Sequence, residues 1–136
     1  MKLRIRGNSL RLRLTKREVA QIGAGDAVEE MIEFGGKPSQ RLIYALKTDD
    51  GVENPTAFFE DGRITVHIPK MQAEEWTRTN QIGIEAEKPL GENGTLRILI
   101  EKDFSCLEPR KGEDDADTFA HPFQNKTENP IRLEAV

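Results

Sequence analysis

Apolar and polar residues alternate with a period of two from Lys2 to Arg6 and again from Ser9 to Leu14, with Gly7-Asn8 between them. That alternation predicts a β-hairpin with one apolar and one basic face. Thr15-Lys16-Arg17-Glu18 follows directly, a Thr-x-x-Glu pattern that satisfies two helix-start donors reciprocally, with Val19 and Ile22 as a short apolar stripe. Gly23 and Gly25 end the helix. Val28 to Phe34 and Arg41 to Thr48 then read as two strands around Gly35-Gly36-Lys37-Pro38. The first part of the chain is thus strand, strand, helix, strand, strand.

The same order recurs 54 residues later without a gap. Phe58-Phe59-Glu60 leads into Asp61-Gly62, a favoured two-residue hairpin turn, and Ile64, Val66 and Ile68 fall where Leu10, Leu12 and Leu14 fell. Pro69 replaces Thr15 as a residue suited to a first helical turn, Ala73 and Trp76 repeat Val19 and Ile22, and Ile82 answers Val28. Leu96, Ile98 and Ile100 answer Leu42, Tyr44 and Leu46, with Asn93-Gly94 as the intervening turn. Residues 1–54 and 55–104 read as an internal duplication within one β-rich domain. Two halves of an α+β domain also match this well by convergence, and few identities mark the register. From Ser105 the periodicity is lost, so residues 105–136, rich in Pro, Gly and acids, read as an irregular arm. The expected fold is α+β: duplicated β-β-α-β-β units forming an eight-stranded antiparallel barrel or strongly curved sheet, with two short helices.

Composition narrows the classes of function. The 136 residues are 36% hydrophobic and 32% charged, with a net charge of -4. No apolar run approaches a membrane span, and Met1-Lys2-Leu3 does not open a secretory signal, so a cytoplasmic protein is expected, with no membrane partner. A mildly acidic balance without a nucleic-acid signature sets nucleic-acid binding aside. The single cysteine, Cys106, excludes an internal disulfide framework and any zinc site built on CxxC pairs.

The candidate chemistry lies on the strand faces. Pairing across Gly7-Asn8 sets Ile5 opposite Leu10 and Leu3 opposite Leu12 on one face, and Arg4 opposite Arg11 and Lys2 opposite Arg13 on the other. Like charges directly opposite cost roughly 0.2–1 kcal/mol per pair unless an anion neutralises them. Residues 1–17 hold seven bases and no acid. Glu85, Glu87, Glu101 and Asp103 alternate with apolar residues on later strands and supply one neutralising source, in an ionic lattice internal to the protein. The other source is a phosphate or polycarboxylate ligand held in a concavity by Arg4, Arg6, Arg11 and Arg13, with Arg41 and Arg97 as further contacts. In that reading Glu85, Glu87 and Glu101 hold a divalent cation, Mg or Mn, beside it.

At the level of topology and charged strand faces, the chain resembles the triphosphate tunnel metalloenzymes of the CYTH-like superfamily. That resemblance implies a barrel whose basic side chains hold a triphosphate and whose acids hold magnesium or manganese. The chain departs from the family at its first strand, where Lys2-Leu3-Arg4-Ile5-Arg6 replaces alternating glutamates ending in lysine. The nearest fragment, Glu85-Ala86-Glu87-Lys88, lies on another strand, so the resemblance implies the barrel and not the catalysis. A second resemblance covers most of the chain. Met1 to Thr15, Gln81-Ile82-Gly83-Ile84-Glu85, and Glu101-Lys102-Asp103-Phe104 followed by Cys106-Leu107 are similar to a family of small uncharacterised bacterial proteins, a domain of unknown function. It implies a bacterial, cytoplasmic origin and no activity.

Three functions are therefore expected to compete: binding of an anionic small molecule, divalent-metal-dependent triphosphate hydrolysis, and a protein-interaction or homodimerising module using a sheet edge or the acidic arm. Cys106 and His121, with Glu113, Asp114, Asp115 and Asp117 between them, offer mixed metal-ligand chemistry without a standard spacing. Cys106 with His67 or His121 lacks any cue for a nucleophile and base pair, and Trp76 reads as core.

Overall fold

The computed structural model describes residues 1–104 together with Asp117 and Phe119. Eight strands and two helices follow in the order β1 (Lys2–Ile5), β2 (Ser9–Leu14), α1 (Lys16–Gly23), β3 (Val28–Glu33), β4 (Arg41–Asp49), β5 (Thr56–Glu60), β6 (Arg63–Pro69), α2 (Lys70–Arg78), β7 (Gly83–Pro89) and β8 (Thr95–Lys102). Local chemistry sets the boundaries. At α1 the expected capping box forms: the Glu18 amide donates to Thr15 Oγ1 at 3.3 Å and the Thr15 amide donates to Glu18 Oε1 at 2.9 Å. Asp61 and Gly62 adopt φ of 50° and 74°, the pair of positive values that a type I′ turn between β5 and β6 needs. Pro69 stands at the cap position of α2 rather than inside its first turn, and no side chain caps that helix.

The strands form two sheets of four, ordered β1-β2-β8-β7 and β3-β4-β6-β5. Each sheet joins a hairpin from the first half of the chain to one from the second through a central parallel pair, β2 with β8 and β4 with β6. The expected closed, wholly antiparallel barrel is therefore corrected. Alternation shows which face of a strand is apolar but not which neighbour it takes or in which direction, and among the described residues no ladder joins one sheet to the other. The nearest approach is along β5 and β7, where Lys88 Nζ donates to the Ala57 carbonyl at 2.6 Å.

The inward faces of both sheets and the helix stripes share one core, in which Leu12, Leu14, Leu46, Val66, Ile68, Trp76 and Ile100 are fully buried. Helix α1 packs on α2, and both close the end at which β2 and β6 finish. The two hairpin turns and the loops 34–40 and 90–94 lie at the other end, whereas 50–55 joins β4 to β5 at the helix end. Trp76 ties α2 to the first sheet: its indole N–H donates to the Ile82 carbonyl at 3.1 Å. At this end the Met1 amine donates to the carboxylates of Glu18 and Glu30, and Tyr44 Oη donates to the Met1 carbonyl.

Register distinguishes the two halves at one point. The hairpin pairing Lys2↔Arg13 has its counterpart 54 residues on in Thr56↔His67, and the parallel pair Leu10↔Ile98 has its counterpart in Ile64↔Tyr44. In the third pairing Val28 faces Leu46, whereas Ile84, not Ile82, faces Ile100. Val28 is thus answered by Ile84, and Ile82 stands exposed. The gapless register fails by two residues between α2 and β7 because α2 runs one residue longer than α1 and its exit to the sheet differs.

Candidate functional site: a charged groove on the first sheet

The hairpin register is the one its alternation dictates, so Lys2 and Arg4 of β1 and Arg11 and Arg13 of β2 share the outer face of the first sheet. Beside β2 lies β8, setting Arg11 against Leu99, Arg13 against Glu101, and Ser9 against Arg97. Beyond it, β7 sets Glu85 against Leu99, Glu87 against Arg97, and Gly83 against Glu101. Arg4, Arg11, Leu99 and Glu85 therefore form one row across four strands. The face runs from basic at β1 and β2 to acidic at the β7 edge.

Part of this charge is neutralised internally. Glu101 Oε1 accepts from Arg11 Nε at 2.6 Å and from Arg13 Nε at 2.8 Å, and Lys2 Nζ lies 3.1 Å from Asp103. One half-buried carboxylate between two guanidinium groups offsets part of the positive charge that the hairpin gathers on this face. Gly83 belongs to this arrangement. A Cβ there would stand 2.7 Å from the Ile100 carbonyl, so no side chain from β7 enters the row beside Glu101.

The rest is not neutralised. Arg4, Arg6 and Arg97 have no ion pair or side-chain hydrogen bond among the described residues, and neither do Glu85 and Glu87. These five line a groove of about 560 Å³, floored by Leu99 and bordered by Ser9 and Arg11. Such a volume suits a small-molecule site.

Of the residues read as anion contacts, the structure thus brings Arg4, Arg6, Arg11 and Arg97 to the groove and places Arg13 beside it on Glu101. Arg41 lies elsewhere, on the second sheet, where its Nε donates to Glu33 at 2.9 Å. Of the acids read as metal ligands, Glu85 and Glu87 reach the groove, while Glu101 is held by the arginines. Among the described residues no three His, Cys, Asp or Glu side chains gather as a metal-holding group. His67 is on the second sheet, with Nδ1 at 2.9 Å from Asp49 Oδ2, not among the arginines of the first. The Asp49 carboxyl is held below its ordinary value by the Gly51 amide and by His67.

Cys106, Glu113, Asp114, Asp115 and His121 lie outside the described residues. Asp117 accepts a hydrogen bond from the Arg17 amide at 3.1 Å, at the start of α1. Its pKa is lowered: although burial acts to raise it, the Thr15 hydroxyl and Arg17 amide favour the charged carboxylate more strongly. Sequence reasoning missed Ser9 and Leu99; the signal available for Leu99 was an apolar residue at a position whose neighbours on the same face, Arg97 and Glu101, are charged.

These features define an α+β protein of two four-stranded sheets with a groove of opposed charges on one outer face. The chain belongs to a family of unknown function (DUF7009), whose model matches residues 1–123. Comparison with curated proteins and with solved structures finds no match, and the likeness to triphosphate tunnel proteins has no support. Among the described residues no helix is long and apolar enough to cross a membrane.

Proposed function

We propose that the protein binds an anionic small molecule, bearing phosphate or carboxylate groups, between Arg4, Arg6 and Arg97, with Arg11 beside them. The observation that carries this reading is a contrast within one molecule. On the outer face of the second sheet, Arg41 pairs with Glu33 and Arg63 pairs with Glu29. On the first sheet three arginines around a groove have no such partner among the described residues. Guanidinium groups suit bidentate capture of phosphate and carboxylate oxygens. A bacterial, cytoplasmic setting accords with a ligand of this kind.

The test is a thermal-shift panel of polyphosphates, nucleotides and dicarboxylates, with and without manganese, since a ligand of the folded state raises its melting temperature. A metal-independent rise that Arg4→Ala or Arg97→Ala removes is the expected result. Silence across the panel overturns the reading. Glu85 and Glu87, which have no ion pair among the described residues, favour a second reading, the metal-dependent hydrolysis of a triphosphate. It requires that the shift appear only with metal and that phosphate be released.

We also propose that residues 1–54 and 55–104 descend from one repeated unit, with residues 105–136 added as an arm. The support is the shared 54-residue offset of the first hairpin and the parallel pairs, interrupted only at β7.

A further inference from the structure

The inward faces of both sheets stay apolar beyond the point at which the core is filled. Toward the helices these faces carry buried Leu12, Leu14, Val66, Ile68 and Ile100. Toward the turns they carry half-buried Leu10, Ile64 and Leu96, and then Ile5, Ile32 and Phe59, the last 67% exposed. Helices α1 and α2 close one end, and no element among the described residues closes the other. A cavity of about 680 Å³ opens there beside the β5–β7 seam, lined chiefly by Leu10, Ala57, Phe59, Ile64, Leu90 and Leu96. Phe58 and Lys88 complete its wall, and exposed Glu60 borders it at the turn end of β5.

Lys88 gives this cavity its selectivity. Its Nζ donates to the Ala57 carbonyl at 2.6 Å and lies 4.3 Å from the centre of the Phe58 ring. No carboxylate pairs with it among the described residues. An ammonium has three N–H donors, so two remain beside an apolar wall. A cation so placed, half-buried and without a counter-ion, is matched by a ligand that brings an anion together with apolar surface.

We propose that this cavity binds an amphipathic carboxylate, a molecule with one carboxylate for Lys88 and an acyl or aromatic body for the leucines, Ile64 and Phe59. It is distinct from the outer groove: the two share only Leu10, and their charged residues do not overlap.

Decanoate and decanol, with the same chain and different head groups, are the probes, followed by amide shifts in two-dimensional NMR and by calorimetry. Decanoate is expected to shift the amides of Ala57, Leu90 and Leu96 and to bind about tenfold more tightly than decanol, the advantage of a charge-assisted hydrogen bond. Lys88→Met is expected to remove that preference, and Leu96→Trp, which fills the cavity, to remove binding of both probes. Should Lys88→Met fail to fold, the comparison of the two probes on the unaltered protein decides the role of the charge. Saturating tripolyphosphate, a probe of the outer groove, is expected to leave decanoate binding unchanged, so either site stands or falls by itself. Equal affinity for the two probes, binding that survives in folded Leu96→Trp, or no binding at all overturns the proposal. So does a concentration-dependent mass that Phe59→Ser abolishes, which makes the open end a contact between two copies.

Discussion

Trp76 shows how much of a small fold can hang on one side chain. It fills the space between α2 and the first sheet and spends its indole N–H on the Ile82 carbonyl, just ahead of β7. Trp76→Phe keeps an aromatic side chain but removes one of the two hydrogen bonds that the Ile82 carbonyl accepts, the other coming from the Lys102 amide, and leaves a void; it is expected to destabilise the protein by about 1–3 kcal/mol in urea unfolding. Asp49 carries a different prediction. Its carboxyl is held below the ordinary 3.8 by the Gly51 amide and by His67, so the folded state favours the charged form. The stability this gives is complete above 3.8 and is lost as pH falls through the folded value. Asp49→Asn is therefore expected to lower the melting temperature near neutrality and to flatten its fall in acid, the two proteins converging at low pH. The lysine at position 102 shows the reverse balance: burial lowers its pKa, and its Nζ, 2.8 Å from the Thr79 carbonyl, has no carboxylate beside it among the described residues.

Among the elements, α1 and α2 differ in how they begin. Thr15 and Glu18 cap α1 reciprocally, whereas α2 follows Pro69 with no side-chain cap. Thr15→Ala is expected to cost about 1 kcal/mol, measured by chemical unfolding. The strand faces were legible for the same local reason as this cap. Alternation over five or six residues fixes which side chains point inward, and Gly7-Asn8 and Asp61-Gly62 fix the hairpin registers. The facing of Arg4 with Arg11 and Lys2 with Arg13 followed from that alone. What alternation does not encode is the neighbour of a hairpin. The parallel contacts of β2 with β8 and β4 with β6 depend on matching two apolar faces across most of the chain, and no short-range signal marks them. Glu101 reached Arg11 and Arg13 through that long-range pairing, and Arg41 was carried to the opposite sheet by it. The apolar open end was not legible in the sequence, because Ile5 and Phe59 are each followed by a charged residue, Arg6 and Glu60, before their turns.

At the scale of the molecule, neither half owns a sheet. Each sheet takes two strands from residues before 54 and two from residues after it, so a separated half has hairpins but no completed layer. A fragment of residues 1–54 is expected to be unfolded alone, and to gain dispersed amide signals only when mixed with 55–136. Independent folding of either fragment would show that the central parallel pairs contribute little. Such pairings between distant residues close large loops before they are rewarded, which slows folding relative to a helical domain of this size.

The interleaving also orders events as the chain leaves the ribosome. All four strands of the second sheet are present once Pro69 has emerged, whereas the first sheet waits for Lys102. The arginine-bearing hairpin is made first yet gains its neighbours last. A product released after Pro69 but before Gly83 would hold every strand of one layer and lack both strands that bring Arg97, Glu85 and Glu87 to the other.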